Sequence, residues 1–250
     1  MREVIQNQLN RIEALENVKI LLAVESGSRA WGFASPDSDY DVRFIYVRPQ
    51  KDYLRLERNR DVIELPIEDD LDINGWDLDK ALRLLRNSNP TLFEWFSSPI
   101  VYRESAFAAE LRGVMPKYFS TRRGLSHYLS MAIRNYRDHL QSETVKAKKY
   151  FYALRPVLAC RWILDNGTPP PMLFSELMEA ELDPALLPEV NRLLDLKQNA
   201  PEVKTIPTVE SINRYLEHSI EEVQTRITQL PKEPYRGWEE LDQLFLSQLE

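Results

Sequence analysis

The sequence predicts an α+β protein, with a mixed strand-and-helix N-terminal half followed by an all-helical C-terminal half. Three observations predict it. Short apolar runs rich in β-formers fall at 18–26, 40–48 and 61–67. Beyond about residue 105 such runs almost vanish, and apolar residues recur at helical spacing. The 250 residues, 43% of them hydrophobic, are enough for two units with cores of their own. The expected division is 1–104 and 105–250.

The elements follow in order. "MREVIQNQLNRIEALENV" has the pattern of an amphipathic helix and lacks the apolar core and cleavage site of a signal peptide. "VKILLAVES" is a short apolar run ending in Ser and Gly, as a buried strand does. "YDVRFIYVR" sets Tyr, Val and Phe against Asp and Arg and predicts a second strand. "DVIELPI" predicts a third and "DINGW" a short fourth. "DLDKALRLLRNSN" carries Leu78, Leu82 and Leu85 at helical spacing and stops before Pro90, which opens the next helix at its first position. In the second half, helices are expected over 120–140, 144–167, 207–230 and 238–250. Pro156 predicts a kink in the second of these, and Gly167 its end.

Composition narrows the function. Cys160 is the single cysteine, so no internal disulfide forms, and haem and zinc sites lack their usual ligands. No run approaches the ~18 apolar residues of a membrane span, so a cytoplasmic protein without a membrane partner is expected. The net charge of -7 argues against a general duplex binder. Yet from Arg112 to Arg161 eleven Lys and Arg face two acids, a candidate anion-binding segment or a set of solvated helix faces.

The chemistry concentrates in "ESGSRAWGFASPDSDYDVRF", residues 25–44. Gly27 follows a buried strand, where glycine permits a tight turn and lets a phosphate approach the backbone N–H groups. Ser28 adds a hydroxyl, and a short helix opening there would add its dipole. Asp39 and Asp41, two apart at the start of a strand, present both carboxylates on one side. Like charges so close call for a cation, and Mg²⁺ takes one or two carboxylates together with phosphate oxygens. Alone, "SPDSDYD" is also a common turn composition.

Gly27-Ser28, Gly32, Ser38-Asp39 and Asp41 together resemble the signature of the nucleotidyltransferase superfamily that includes DNA polymerase beta. "GWDLDKALRLLRNSNPTLFEWFSSPIVY" (75–102) and "KKYFYALRPVLACRWI" (148–163) are similar to one branch, the nucleotidyltransferases associated with RNA repair pathways. The resemblance implies a nucleotidyltransferase-type mixed sheet in residues 1–104. It implies that Asp39 and Asp41 ligate Mg²⁺ in a two-metal site, with Gly27 and Ser28 at the phosphates of an NTP. A third carboxylate is expected on a neighbouring strand. Asp77, where strand signal gives way to helix, is favoured for it, with a helix cap as its alternative role. Asp72 is the second candidate.

The helical half is expected to complete the nucleotide and acceptor site. Lys148, Tyr152 and Arg155, at i, i+4 and i+7, share a helix face suited to a nucleoside triphosphate: two cations for phosphates and an aromatic ring for stacking. The implied reaction transfers a nucleoside monophosphate from an NTP, ATP included, to a hydroxyl acceptor with release of pyrophosphate. An RNA end is the acceptor the branch suggests, and a protein hydroxyl or a small molecule is the alternative. A non-catalytic nucleotide or RNA sensor and an antitoxin-like partner that modifies a protein are the competing readings.

Overall fold

A computed structural model describes residues 1–67, 70–199 and 205–249. In chain order it contains α1 (Arg2–Glu16), β1 (Lys19–Glu25), α2 (Gly27–Ala30), β2 (Tyr40–Val47), α3 (Gln50–Tyr53), β3 (Val62–Glu64), β4 (Leu71–Asp77), α4 (Leu78–Arg86), α5 (Pro90–Phe96), β5 (Val101–Glu104) and α6 (Ala106–Val114). Then come α7 (Thr121–His139), β6 (Thr144–Lys146), α8 (Lys148–Asn166), α9 (Phe174–Glu181), α10 (Leu187–Asn199), β7 (Thr205–Pro207), α11 (Glu210–Gln229) and α12 (Glu239–Leu246). The α+β class expected from the sequence is the one observed. Glu250, the last residue of the helix expected at 238–250, lies outside the described residues.

The chain forms two compact units. One comprises Met1–Ala30, Asp39–Tyr118 and Pro234–Glu250, and the other Trp31–Ser38 and Phe119–Glu233. A single seam near residue 105 therefore does not describe the division. The helix α6 buries Phe107, Ala108 and Leu111 in the first unit. The C-terminal segment also returns to that unit: Phe245 meets Tyr53 edge-on at 5.1 Å, and the Arg86 guanidinium lies 4.3 Å over Trp238.

The first unit is built on a mixed sheet of order β3-β4-β2-β1-β5. The strands β1 and β2 pair antiparallel, whereas β2 and β4 run parallel with Asp41 opposite Asp72 and Tyr46 opposite Asp77. Apolar residues of α1 at helical spacing, Ile5, Leu9 and Ile12, are buried in one cluster with Val42, Phe44, Tyr46, Leu71 and Ile73 of the sheet. On β2 and β4 these alternate with Asp41, Arg43, Asp72 and Asn74, so the polar set shares the other face. Gly75 is needed where β4 crosses Phe44, because a Cβ there would lie 2.2 Å from the ring.

Two strand expectations change. "DINGW" is part of a seven-residue strand with partners on both edges, because Leu71 and Asp77 at its ends also pair with β2. The strand β5, not expected from the sequence, has only four residues and one buried side chain, too short for a clear alternation. The second unit packs α7, α8, α9 and α11 around Phe151, Leu154, Leu158, Phe174, Ile212 and Leu216. The helix expected from residue 144 begins at Lys148, since Thr144–Lys146 pairs with Thr205–Pro207. Thr144 and Val145 are β-branched, which favours this.

Candidate active site

The site begins at the end of β1. Glu25 ends β1 fully buried, and its Oε1 accepts from the Asp41 backbone N–H at 2.7 Å. The Tyr102 hydroxyl donates to its Oε2. Burial pushes the Glu25 carboxyl up, and these two hydrogen bonds pull it back. The chain then turns at Gly27, whose φ is +59°. A Cβ on Gly27 would lie 2.1 Å from Asp41 Oδ2, so the loop passes directly over that carboxylate. Ser26 N–H donates to the Asp41 carbonyl at 2.8 Å, which ties loop and strand together. Gly27 and Ser28 thus open a single helical turn, Gly27–Ala30, beside Asp41.

Asp41 and Asp72 lie opposite one another on adjacent parallel strands. One nitrogen of Arg43, Nη2, donates to Asp41 Oδ1 at 2.9 Å and to Asp72 Oδ2 at 2.7 Å. Burial pushes the Asp41 carboxyl up, the Arg43 guanidinium opposes that, and Asp72 and Asp39 add to it. Asp39 is exposed one residue before β2. Among the described residues no three His, Cys, Asp or Glu side chains converge as metal ligands. The donor set nonetheless suits a hard cation: carboxylate oxygens on one sheet face, already gathered around a positive charge.

Asp77, favoured for the third carboxylate, stands apart from Asp41. Asp77 is five residues beyond Asp72 on β4, an odd interval, so it belongs to the face opposite Asp41. There its Oδ1 caps α4 by accepting from Asp79 N–H at 2.9 Å and also accepts from the Tyr53 hydroxyl at 3.0 Å. The carboxylate beside Asp41 is Asp72.

Burial pushes Asp77 from 3.8 up to about 6. Well below pH 3.8 the carboxyl is neutral in folded and unfolded chains alike. Between 3.8 and about 6 the folded chain keeps a proton that the unfolded chain releases, so stability falls as pH rises and the loss is complete above about 6. Asp77→Asn retains a capping side chain and removes this fall. Its stability relative to wild type, from urea unfolding, should improve by about 1–3 kcal/mol between pH 4 and pH 7. An unchanged difference would show that Asp77 does not titrate there.

Gly32, Ser38, Lys148, Tyr152 and Arg155 belong to the second unit. Ser38 is buried, its Oγ accepting from Ser35 N–H at 2.9 Å and lying 2.8 Å from Ser35 Oγ. Buried Lys197 reaches the same Ser35 Oγ at 3.4 Å. Lys148 and Tyr152 are half-buried on α8, and Tyr152 meets Trp31 edge-on at 6.0 Å. Arg155 departs from expectation: it is 2% exposed, with its guanidinium 4.6 Å over Trp31 and Nη2 3.7 Å from Met172 Sδ. The reason is that every residue from Ala153 to Cys160 is buried, so this stretch of α8 has no solvent face. Glu25 and Arg43 also belong to this site, and neither stands out in the sequence. Arg43 had a signal, since it follows Asp41 by two on an alternating strand.

The family model described as the RNA repair pathway DNA polymerase beta family matches residues 1–247. The chain belongs to this family. It is also 48% identical over 252 residues to the uncharacterized protein YcgL of Bacillus subtilis (strain 168), covering 100% of this chain and 97% of that protein. A nucleotidyltransferase-like protein from Exiguobacterium sibiricum 255-15 aligns over 92% of this chain and 75% of its own at 14% identity, with a TM-score of 0.33. Membership makes this a nucleotidyltransferase-like protein. Among the described residues, no helix is long and apolar enough to cross a membrane.

Proposed function

We propose that the chain transfers a nucleoside monophosphate from a nucleoside triphosphate to a hydroxyl at an RNA end, releasing pyrophosphate. The observation that carries this reading is the pairing of Asp41 with Asp72 in parallel register, beneath a glycine loop that leaves room for nothing larger than hydrogen at Gly27. The RNA end as acceptor rests on the family's RNA repair description.

In this reading Asp41 and Asp72, with Asp39 beside them, hold Mg²⁺. The bound ion supplies Lewis-acid stabilisation of the reacting phosphate and eases ionisation of the attacking hydroxyl. Glu25 fixes Asp41 by accepting its backbone N–H. Gly27 N–H and the Ser28 hydroxyl grip the triphosphate and so fix the line of attack. The hydroxyl oxygen bonds to the α-phosphorus, the bond to the bridging oxygen breaks, pyrophosphate leaves, and the hydroxyl proton passes to Asp72. Arg155, enclosed by Trp31 and Met172, is left out of this reading.

The test is transfer of labelled nucleotide from each NTP to RNA with a free 3′ or 5′ hydroxyl, with pyrophosphate release followed in parallel. Asp39→Ala with Asp41→Ala should abolish both signals. Label appearing in protein instead of RNA would move the acceptor to a protein hydroxyl. Nucleotide binding without any release would support the sensor reading.

A further inference from the structure

Arg43 is the side chain at this site that the proposed chemistry leaves unused. It stands two residues after Asp41 on β2, so both side chains share a face. Nη2 bridges Asp41 Oδ1 and Asp72 Oδ2, while Nη1 donates to the backbone carbonyls of Val42 and Asp72, each at 3.1 Å. The guanidinium is thus fixed through both terminal nitrogens, one to backbone and one to the carboxylate pair.

Without this cation, Asp41 and Asp72 would face each other across two adjacent strands with Asp39 close by, an arrangement of like charges that needs compensation. A single positive charge cannot balance it, and a divalent ion placed between the same two oxygens cannot share them with Nη2. The pair is accessible enough for exchange: the side chains of Arg43, Asp41 and Asp72 are 18%, 29% and 32% exposed. The backbone anchors of Nη1 do not involve the carboxylates, so the guanidinium can release the pair and stay attached to the strand edge.

We propose that Arg43 is the resident counter-cation of the carboxylate pair, holding Asp41 and Asp72 together in the metal-free protein and yielding them when a divalent cation binds. Arg43 therefore sets the metal affinity of the site. The proposal rests on the reading above that Asp41 and Asp72 are metal ligands. It assigns Arg43 a role opposed to metal binding, not in support of it.

The test is calorimetric titration of MgCl₂ into the full-length, chelator-treated protein at constant ionic strength, with thermal unfolding measured with and without Mg²⁺. Wild type is compared with Arg43→Met and Arg43→Gln. Both variants should bind Mg²⁺ about tenfold more tightly, a typical size for coupling between competing ligands. They should unfold at a lower temperature than wild type without metal, and gain more from Mg²⁺. Mg²⁺ binding by the variants alone, with none by wild type, would be the same result in stronger form. Equal or weaker affinity in the variants overturns the proposal and leaves the metal reading standing, with Arg43 then a residue that positions the carboxylates. Absence of Mg²⁺ binding in wild type and variants alike overturns the metal reading, and this proposal with it. Should Arg43→Met fail to fold, Arg43→Gln carries the same expectations.

Discussion

Asp72→Asn should lower nucleotidyl transfer by more than about 100-fold, the loss that even the outer partners of a metal ligand can reach, whereas Asp77→Asn should leave the rate within about threefold. The contrast follows from strand parity. Asp72 lies opposite Asp41 and shares Arg43 Nη2 with it. Asp77 sits on the other face, where it caps α4 and receives the Tyr53 hydroxyl. Each variant removes one charge with little change in volume, so a difference in rate reports chemistry and not packing. The measurement is pyrophosphate release at saturating NTP and Mg²⁺, with folding checked by circular dichroism. Loss of activity in Asp77→Asn together with full activity in Asp72→Asn would reverse the assignment.

Gly27→Ala is the second substitution with a large expected effect. The residue holds φ at +59°, a conformation that costs an L-residue about 1–2 kcal/mol. The added Cβ would also stand 2.1 Å from Asp41 Oδ2, so either the loop or the carboxylate must shift. A shift of the order of an ångström at a reacting centre costs about 100-fold in rate. The variant should therefore lose about 1–3 kcal/mol of stability and at least that factor in transfer. Gly113→Ala is the control: it lies inside α6, nothing stands within 4 Å of an added Cβ, and alanine there should be neutral or stabilising by up to about 1 kcal/mol. A Gly27→Ala enzyme with wild-type rate would remove the phosphate-loop role.

Much of this site is visible in the sequence because it obeys local rules. Gly27, Ser28, Asp39 and Asp41 stand in one continuous stretch, and alternation along a strand aligns the two aspartates. The choice between Asp72 and Asp77 needed something more, since both sit between apolar residues. The parity of β4 distinguishes them: Leu71 and Ile73 pack under α1, so Asp72 faces away from that core while Asp77 shares its side. A strand read as five residues, 72–76, hides this, because Leu71 and Asp77 fall outside it. Glu25 was less accessible still. Its Oε2 accepts from Tyr102 of β5, a four-residue strand reached 77 residues later, and no local pattern carries that contact. Arg155 shows the opposite error. Helical spacing placed it correctly beside Lys148 and Tyr152, but spacing says nothing of how many neighbours enclose a helix, and α8 is enclosed on every side from Ala153 to Cys160.

The contact between Ser35 and Lys197 also has a consequence in time. Ser35 lies between Gly27 and Asp39, and its buried lysine partner comes 162 residues later in the chain. At ~5–20 residues per second, a ribosome that has made Ser35 needs about 10–30 s more before Lys197 exists. Through that interval Gly27 and Asp39 are present on the nascent chain, but the segment joining them lacks the anchor it has in the finished protein. Gly27 and Asp41 are thus tied to one another by contacts within the first 47 residues, while the segment between them waits for a contact made 162 residues later.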